Sequence, residues 1–366
     1  MASHPTLYAI VMAGGRGERL WPVSRTARPK YLAPVWGRRT LLDATLARVE
    51  RGVPTRRAWI ITEQAHASAV RRGMPARWRA RVVAEPRGRN TAVCIGLGAL
   101  LVQRRHPEGV CIALPADHWI PDARAFWRAA RCAAAVARAT DRVVALGITP
   151  RGPETAYGYI RVGTREPQWE HAGQRVFAVD RFLEKPSRQR AARLIATRRV
   201  YWNAGIFIAT ARRILAELRA HRPALGRALD AAAPHIGTPR QARAVRRLYA
   251  SVEASSFDYA VMERTRAAAL VVGPFAWDDV GSWASWLDRF PRDRAGNVVL
   301  GRHVGVGTHR TLVVNHEEHL IATLGVRDIV IVHTPDATLV CHRDDAQGVR
   351  RLLAVCRSRR ALAKFL

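Results

Sequence analysis

Residues 8–22 read YAIVMAGGRGERLWP: an apolar run from Tyr8 to Met12 breaks into Ala13-Gly14-Gly15-Arg16-Gly17-Glu18-Arg19-Leu20-Trp21-Pro22. The run has the length and character of a buried strand, and three glycines in four positions end it. Glycine admits positive φ and lets backbone N–H groups close around anionic oxygens, while arginine forks onto phosphate. No G-x-x-x-x-G-K-[ST] occurs and G-x-G-x-x-G is not matched, so neither a P-loop nor a dinucleotide fingerprint is present. The alternative is a glycine-rich structural turn. Arg28-Pro29-Lys30 supplies a further cation and favours a phosphate loop.

Outward from this stretch, Ala58 to Thr62, Arg81 to Ala84, Val110 to Leu114 and Arg142 to Gly147 also read as strands. Between them Gln64 to Arg72, Thr91 to Arg104 and Arg124 to Ala139 have helical character, and Asn90 is placed to cap the second. Alternating strand and helix predicts an open, mostly parallel α/β sheet, with ligands beyond the carboxyl ends of its strands. Further strands are expected at Tyr159 to Val162, Arg175 to Phe182 and Gly205 to Ala209, as a mixed extension of the sheet. Further helices are expected near Arg188 to Thr197, Ala211 to Arg219, Arg240 to Ala250 and Asp258 to Arg266. From Asn297 to Cys341 short β-rich pieces punctuated by Gly and Asn predict a small β appendage, closed by one helix from about Asp344 to Ala363. No internal repeat long enough to suggest a solenoid, and no low-complexity linker, is evident.

The chain of 366 residues is 48% hydrophobic and 24% charged, which excludes disorder, collagen and coiled coil as whole-chain descriptions. Its longest apolar stretches, such as Cys94 to Val102, fall short of the roughly 20 residues that span a bilayer, and the N-terminus lacks a basic leader. A cytoplasmic protein without membrane partner is expected. Five widely spaced cysteines (Cys94, Cys111, Cys132, Cys341, Cys356) include no C-x-x-C pair, so neither a disulfide framework nor a zinc site is indicated. The net charge of +31 invites a nucleic-acid reading, but the arginines are scattered as pairs over the whole length, without a basic tail or aromatic platform. Weak, salt-sensitive attraction to polyanions is expected rather than specific nucleic-acid binding.

Only three of the 60 basic residues are lysine: Lys30, Lys185 and Lys364. In a chain that nearly always uses arginine, a retained lysine points to a place that needs a compact ammonium on a thin stem. Lys30 follows the glycine loop and Lys185 lies in Phe182-Leu183-Glu184-Lys185-Pro186 at a strand end. Leu114-Pro115-Ala116-Asp117-His118 places a carboxylate after a central strand, where it could hold a divalent cation beside phosphates. Trp277-Asp278-Asp279-Val280-Gly281 offers a second carboxylate pair. An Asp after a strand is commonly a cap or turn residue, so each signal is weak alone. Tyr157-Gly158-Tyr159-Ile160 and Trp202-Asn203-Ala204-Gly205 combine glycine with an amide suited to hydroxyl recognition.

Taken in order, GGRGERLWP with RPKYL, EPRGRNTA, LPADH, YGYI, FLEKP, WNAGIF, FDYAVME, WDDVGSW and DIVIVHTPDATLVC resemble the mannose-1-phosphate guanylyltransferase family of sugar nucleotidyltransferases, over nearly the whole chain. The resemblance implies a Rossmann-like nucleotide-diphospho-sugar transferase fold: a mixed, mostly parallel sheet flanked by helices. Residues 1–288 would form the catalytic domain. Residues 289–366 would form a small β-rich domain, left-handed β-helix-like, ending in a helix. Implied partners are GTP and mannose 1-phosphate, with Mg2+ as cofactor and a homodimer as the open oligomeric option. Gly14, Gly15, Arg16, Gly17, Arg19 and Lys30 would cradle the triphosphate, with Glu85, Asn90 and Thr91 near base or ribose. Gly158, Glu184, Asn203 and Lys185 would meet the sugar phosphate, and Asp117 and Asp279 the metal; Asp278 beside it leaves open which carboxylate does so. Arg16, Lys30, Asp117, Lys185 and Asp279 are the implied catalytic set. The isomerase domain of bifunctional relatives is not expected. Alternatives are the same chemistry with another nucleotide or sugar phosphate, or a noncatalytic nucleotide-sugar regulator.

Overall fold

The computed structural model describes residues 6–366 apart from 16, 37, 38, 172 and 316. In chain order the first half comprises β1 (Leu7–Ala13), β2 (Pro34–Trp36), β3 (Arg39–Thr40), α1 (Leu41–Glu50), β4 (Ala58–Glu63), α2 (Gln64–Arg72), α3 (Ala76–Arg79), β5 (Val82–Glu85), α4 (Thr91–Arg105), β6 (Val110–Pro115), α5 (Ala123–Thr140) and β7 (Val143–Ile148). There follow β8 (Tyr159–Arg165), β9 (Val176–Leu183), α6 (Arg188–Ala196), β10 (Val200–Thr210), α7 (Ala211–His221), α8 (Pro223–Ala232), α9 (Gln241–Ser251) and β11 (Ala268–Val272). The last part holds β12 (Val298–Leu300), β13 (His303–Val306), β14 (Leu312–Asn315), β15 (Ile321–Leu324), β16 (Ile329–Thr334), β17 (Ala337–His342) and α10 (Val349–Ser358).

Two compact units result. The first takes Met1–Gly14, Leu46–Ala116 and Ile120–Trp277; the second takes Gly15–Thr45, Asp117–Trp119 and Asp278–Leu366.

In the first unit a nine-stranded sheet runs in the order β5-β4-β1-β6-β10-β7-β11-β9-β8. The strand β1 is parallel to β4 and β6, and β4 to β5. The strand β10 runs antiparallel to β6, β7 and β8, while β11 is parallel to β7 and antiparallel to β9. β1 is apolar and closed to solvent after its first residue, as a strand must be when its sheet is covered on both faces. α4 is apolar almost all round and buried from Ala92 to Val102, and Asn90 Oδ1 accepts the Thr91 N–H at 2.8 Å as the expected cap.

β10 is longer than its Gly205 to Ala209 expectation and begins at Val200. Its pairing with β7 slips between Asn203 and Phe207, and Gly205 carries φ 63 there. Asn203 therefore belongs to a bulged strand, where the glycine accommodates a backbone turn that side chains resist. The helix expected over Asp258 to Arg266 is only a wide turn, Asp258–Met262, closed by Glu263 N–H donating to Asp258 O. The strand β11 and the helices α1 and α8 were not anticipated; their apolar spacing is short and ambiguous between strand and helix.

The second unit packs Leu20, Trp21, Val280, Trp283, Trp286, Leu312, Val314, Val330, Val332 and Leu353 into one core. Besides the antiparallel pair β2-β3, its strands form two parallel ladders, β12-β14-β16, extended by antiparallel β17, and β13-β15. Leu312 pairs with Val330, His303 with Ile321 and His309 with Arg327, each eighteen residues on in the chain. A coil repeat is therefore present although no repeat is evident in the residues, because it lives in backbone register rather than residue identity. The closing helix is shorter than expected: 3-10 turns at Arg343–Gly348 and Arg360–Phe365 flank α10, and Arg359 is extended. Among the described residues no helix is long and apolar enough to cross a membrane.

Leu312 is 0% exposed and Leu324 79%. Leu312→Ala should lower unfolding stability by roughly 2–5 kcal/mol, and Leu324→Ser by less than about 0.5 kcal/mol. Urea unfolding followed by the fluorescence of the buried Trp283 and Trp286 checks this; equal midpoints for the two variants would refute the ladder assignment.

Candidate active site

In the second unit, Gly17 carries φ 62 and a Cβ added to it would lie 2.3 Å from Lys30 Cβ. The loop glycine is thus required twice, for its backbone angle and for the approach of the lysine stem. Lys30 is buried, at 6% exposure. Its Nζ lies 2.7 Å from Asp117 Oδ2 and donates to the backbone carbonyl of Asp279 at 2.5 Å. Three sequence-expected residues from distant motifs therefore meet at one ammonium. Burial opposes ionisation of Asp117, but the charges of Lys30 and His118 and the Lys30 hydrogen bond outweigh it, so its carboxyl stays below the usual range. Arg19 feels the same centre: burial and Arg350 lower its pKa, and Asp279 opposes them.

Asp278 is turned away from such work. It is 1% exposed, Oδ2 is paired with Arg289 Nη2 at 2.5 Å, and Oδ1 accepts the Val280 N–H at 2.6 Å. Val280 has φ 51, a conformation rare for a β-branched residue, held here by that hydrogen bond and by burial of its side chain. Gly15, with φ 85, has open space where a Cβ would be. Arg16 lies outside the described residues.

The first unit gathers a second group. The Gly158 backbone carbonyl accepts the Asn203 N–H at 2.8 Å, and a Cβ added to Gly158 would meet Glu184 Oε2 at 2.6 Å. Glu184 Oε1 lies 3.1 Å from Lys185 Nζ, while Oε2 is buried without a hydrogen-bond partner. Burial, with the charge of Asp258 adding to it, pushes the Glu184 carboxyl to about 7 against the pull of Lys185. Lys185 has φ 47, which costs about 1 kcal/mol for a residue with a Cβ. Its side chain is 57% exposed, so the buried, oxygen-flanked position that favours a compact ammonium at Lys30 is not repeated at Lys185.

Glu85 is buried and accepts the Tyr249 hydroxyl at 2.5 Å through Oε2. Its Oε1 lies 4.0 Å from where a Gly14 Cβ would be. Burial pushes its carboxyl to about 7, with Tyr249 opposing and Glu63 adding. Thr91 Oγ1 accepts the Phe257 N–H at 2.8 Å, so this hydroxyl also holds the following loop. Asn90, at φ 67, caps its own helix.

Asp258 and Tyr249 escaped sequence reading. Asp258 lies within FDYAVME and Tyr249 within α9, where each passes for an ordinary helix residue; only tertiary pairing distinguishes them. Among the described residues no group of three or more His, Cys, Asp or Glu side chains could hold a metal ion.

Residues 8–296 match the family model described as Nucleotidyl transferase, and residues 301–354 the model described as MannoseP isomerase/GMP-like beta-helix domain. The chain is 37% identical over 355 residues to a mannose-1-phosphate guanylyltransferase of Escherichia coli strain K12, covering 95% of this chain and 73% of that protein. It is 37% identical over 354 residues, with the same coverage of each, to xanthan biosynthesis protein XanB of Xanthomonas campestris pv. campestris strain B100. A crystal structure described as "mannose-1-phosphate geranyltransferase" from Thermus thermophilus superposes with a TM-score of 0.86 at 36% identity, over 96% of this chain and 99% of that one. The chain belongs to the mannose-1-phosphate guanylyltransferase family of nucleotidyltransferases.

Proposed function

We propose that the chain transfers GMP from GTP to α-D-mannose 1-phosphate, releasing pyrophosphate and leaving GDP-mannose, with Mg2+ as its cation. The observation that carries this reading is the Lys30 ammonium joining Asp117 and Asp279 in the unit that also holds the loop from Gly15.

The donor chemistry fits the metal. Mg2+ takes hard oxygens, commonly one or two carboxylates plus substrate phosphates and water, and Asp117 is kept ionised. Asp117 and Asp279 are the residues that would hold it. Asp278 is not, since both its oxygens are engaged internally. When bound, the cation would offset charge on the phosphates and orient them.

The attacking group is a phosphate oxygen already ionised at neutral pH, so no Ser, Cys or His nucleophile and no general base is required. The work left to the protein is electrostatic: two polyanions must approach in line while charge builds on the α-phosphate and the departing pyrophosphate. Gly14, Gly15, Arg16, Gly17, Arg19 and Lys30 take the triphosphate in this reading, with Glu85, Asn90 and Thr91 toward the nucleoside. Lys185 takes the sugar phosphate; Gly158, Glu184 and Asn203 take the sugar. Residues 1–288 act as the catalytic domain and 289–366 as a β-helical appendage, in the cytoplasm, with a homodimer as the open oligomeric option.

Purified protein given GTP, mannose 1-phosphate and Mg2+ should release pyrophosphate, and should release much less when ATP, UTP or glucose 1-phosphate is substituted. Silence across pH and metals would refute the reading. Lys185→Arg should raise KM for the sugar phosphate several-fold despite keeping the charge; unchanged kinetics would show that a point charge suffices. For Glu85, the folded value of about 7 lies above the ordinary 4.5. The stability it contributes is thus complete below pH 4.5 and lost as pH rises through 7. Glu85→Gln should therefore melt a few degrees above the parent at pH 8 and level with it near pH 4.5. Parallel melting curves would contradict a buried, protonated Glu85.

A further inference from the structure

Asp258 stands at the start of the wide turn Asp258–Met262, on a loop tied to the N-terminus of α4. Ser255 N–H donates to Arg89 O at 3.2 Å, Ala92 N–H donates to Ser255 O at 3.0 Å, and Phe257 N–H donates to Thr91 Oγ1 at 2.8 Å. This stitching delivers the Asp258 carboxylate to Asn203, whose Nδ2 donates to Oδ1 at 2.7 Å. On the other side of the same amide, Asn203 Oδ1 accepts the Gly205 N–H at 3.0 Å. A carboxylate cannot donate and a backbone N–H cannot accept, so the amide has one permitted orientation. Its second Nδ2 hydrogen remains to be given elsewhere.

The place over Gly158 is where that matters. A Cβ there would come within 2.6 Å of Glu184 Oε2, 3.1 Å of Phe182 Cζ and 3.3 Å of Asn203 Cβ, so only glycine lets the backbone lie this close to both Glu184 and Asn203. Glu184 Oε2 is buried and unpartnered, and the Glu184 side chain is 10% exposed. A buried polar atom without a partner costs about 1–3 kcal/mol, which a ligand hydroxyl would recover.

We propose that Asp258 is a positioning residue for sugar recognition: it locks the Asn203 amide so that the amide and Glu184 together read one hydroxyl of the pyranose. This rests on the reading that the chain uses a hexose 1-phosphate and names a residue beyond those assigned to it. Asp258 does not touch the substrate. It acts through Asn203, and its replacement should move sugar kinetics and leave nucleotide kinetics alone.

The test is steady-state kinetics of the full chain with Asp258→Ala, which removes the acceptor, Asn203→Ala and the double variant. Asp258→Ala should raise KM for mannose 1-phosphate about tenfold, the size of one hydrogen bond, with KM for GTP within about twofold. Preference for mannose 1-phosphate over its glucose and galactose epimers should narrow. Asp258→Asn, whose amide oxygen can still accept from Asn203, should restore most of the loss. The double variant Asp258→Ala, Asn203→Ala should lose no more than Asn203→Ala alone, because both changes remove one interaction. Unchanged sugar KM in Asp258→Ala, equal losses for both substrates, or additive losses in the double variant would overturn the proposal. If Asp258→Ala does not fold, a sugar KM in Asn203→Ala equal to that of the parent overturns it, and a selective rise in that KM supports it. A parent enzyme inert toward every hexose 1-phosphate overturns the functional reading itself; an active parent with an indifferent Asp258→Ala overturns only this inference.

Discussion

One ammonium group organises the polar centre of the second unit. Lys30 Nζ faces the Asp117 carboxylate and the Asp279 carbonyl, and the lysine stem runs so close to Gly17 that no side chain fits there. A buried cation is tolerated only when oxygens surround it, and here the oxygens come from motifs far apart in the chain. Remove the lysine and Asp117 loses the larger of the two charges, and the side-chain hydrogen bond, that keep it ionised. Arginine would carry the same first stem atoms past Gly17, but its wider guanidinium would have to sit where the compact ammonium meets the Asp117 carboxylate and the Asp279 carbonyl. In a chain that writes almost every cation as arginine, this is a physical reason for one exception.

The first unit works by a different economy of interactions. Its polar residues are held by hydrogen bonds that leave selected atoms unsatisfied: Glu184 Oε2 has no partner, and Lys185 holds a left-handed backbone angle. Both Glu85 and Glu184 are carried to about 7 mainly by burial. Such groups are costly in an empty protein and persist where a ligand can compensate them.

Much of the architecture was legible beforehand. The helix over Gln64 to Arg72, the cap at Asn90 and the first five strands of the central sheet follow from apolar periodicity and punctuation, which are local. Legibility failed where long-range contacts override local signals. Asn203 lay outside the strand expected to begin at Gly205, yet pairing with β7 draws both into a bulged strand. Asp258 looked helical because FDYAVME is a good helix sequence, yet the loop is anchored to α4 and closes into a single wide turn. The eighteen-residue coil escaped notice because its repeat requires only inward apolar residues and permissive turns.

By itself the sequence determined the alternation of strand and helix, the glycine loop and the identity of the chemical groups, because these depend on neighbours within a few residues. It named Lys30, Asp117 and Asp279 without placing them together. Which side chains face one another depends on register and burial, quantities that arise only once distant strands pair. Tertiary structure alone joined Lys30 to both aspartates, withdrew Asp278 into an ion pair with Arg289, and set Asp258 against Asn203.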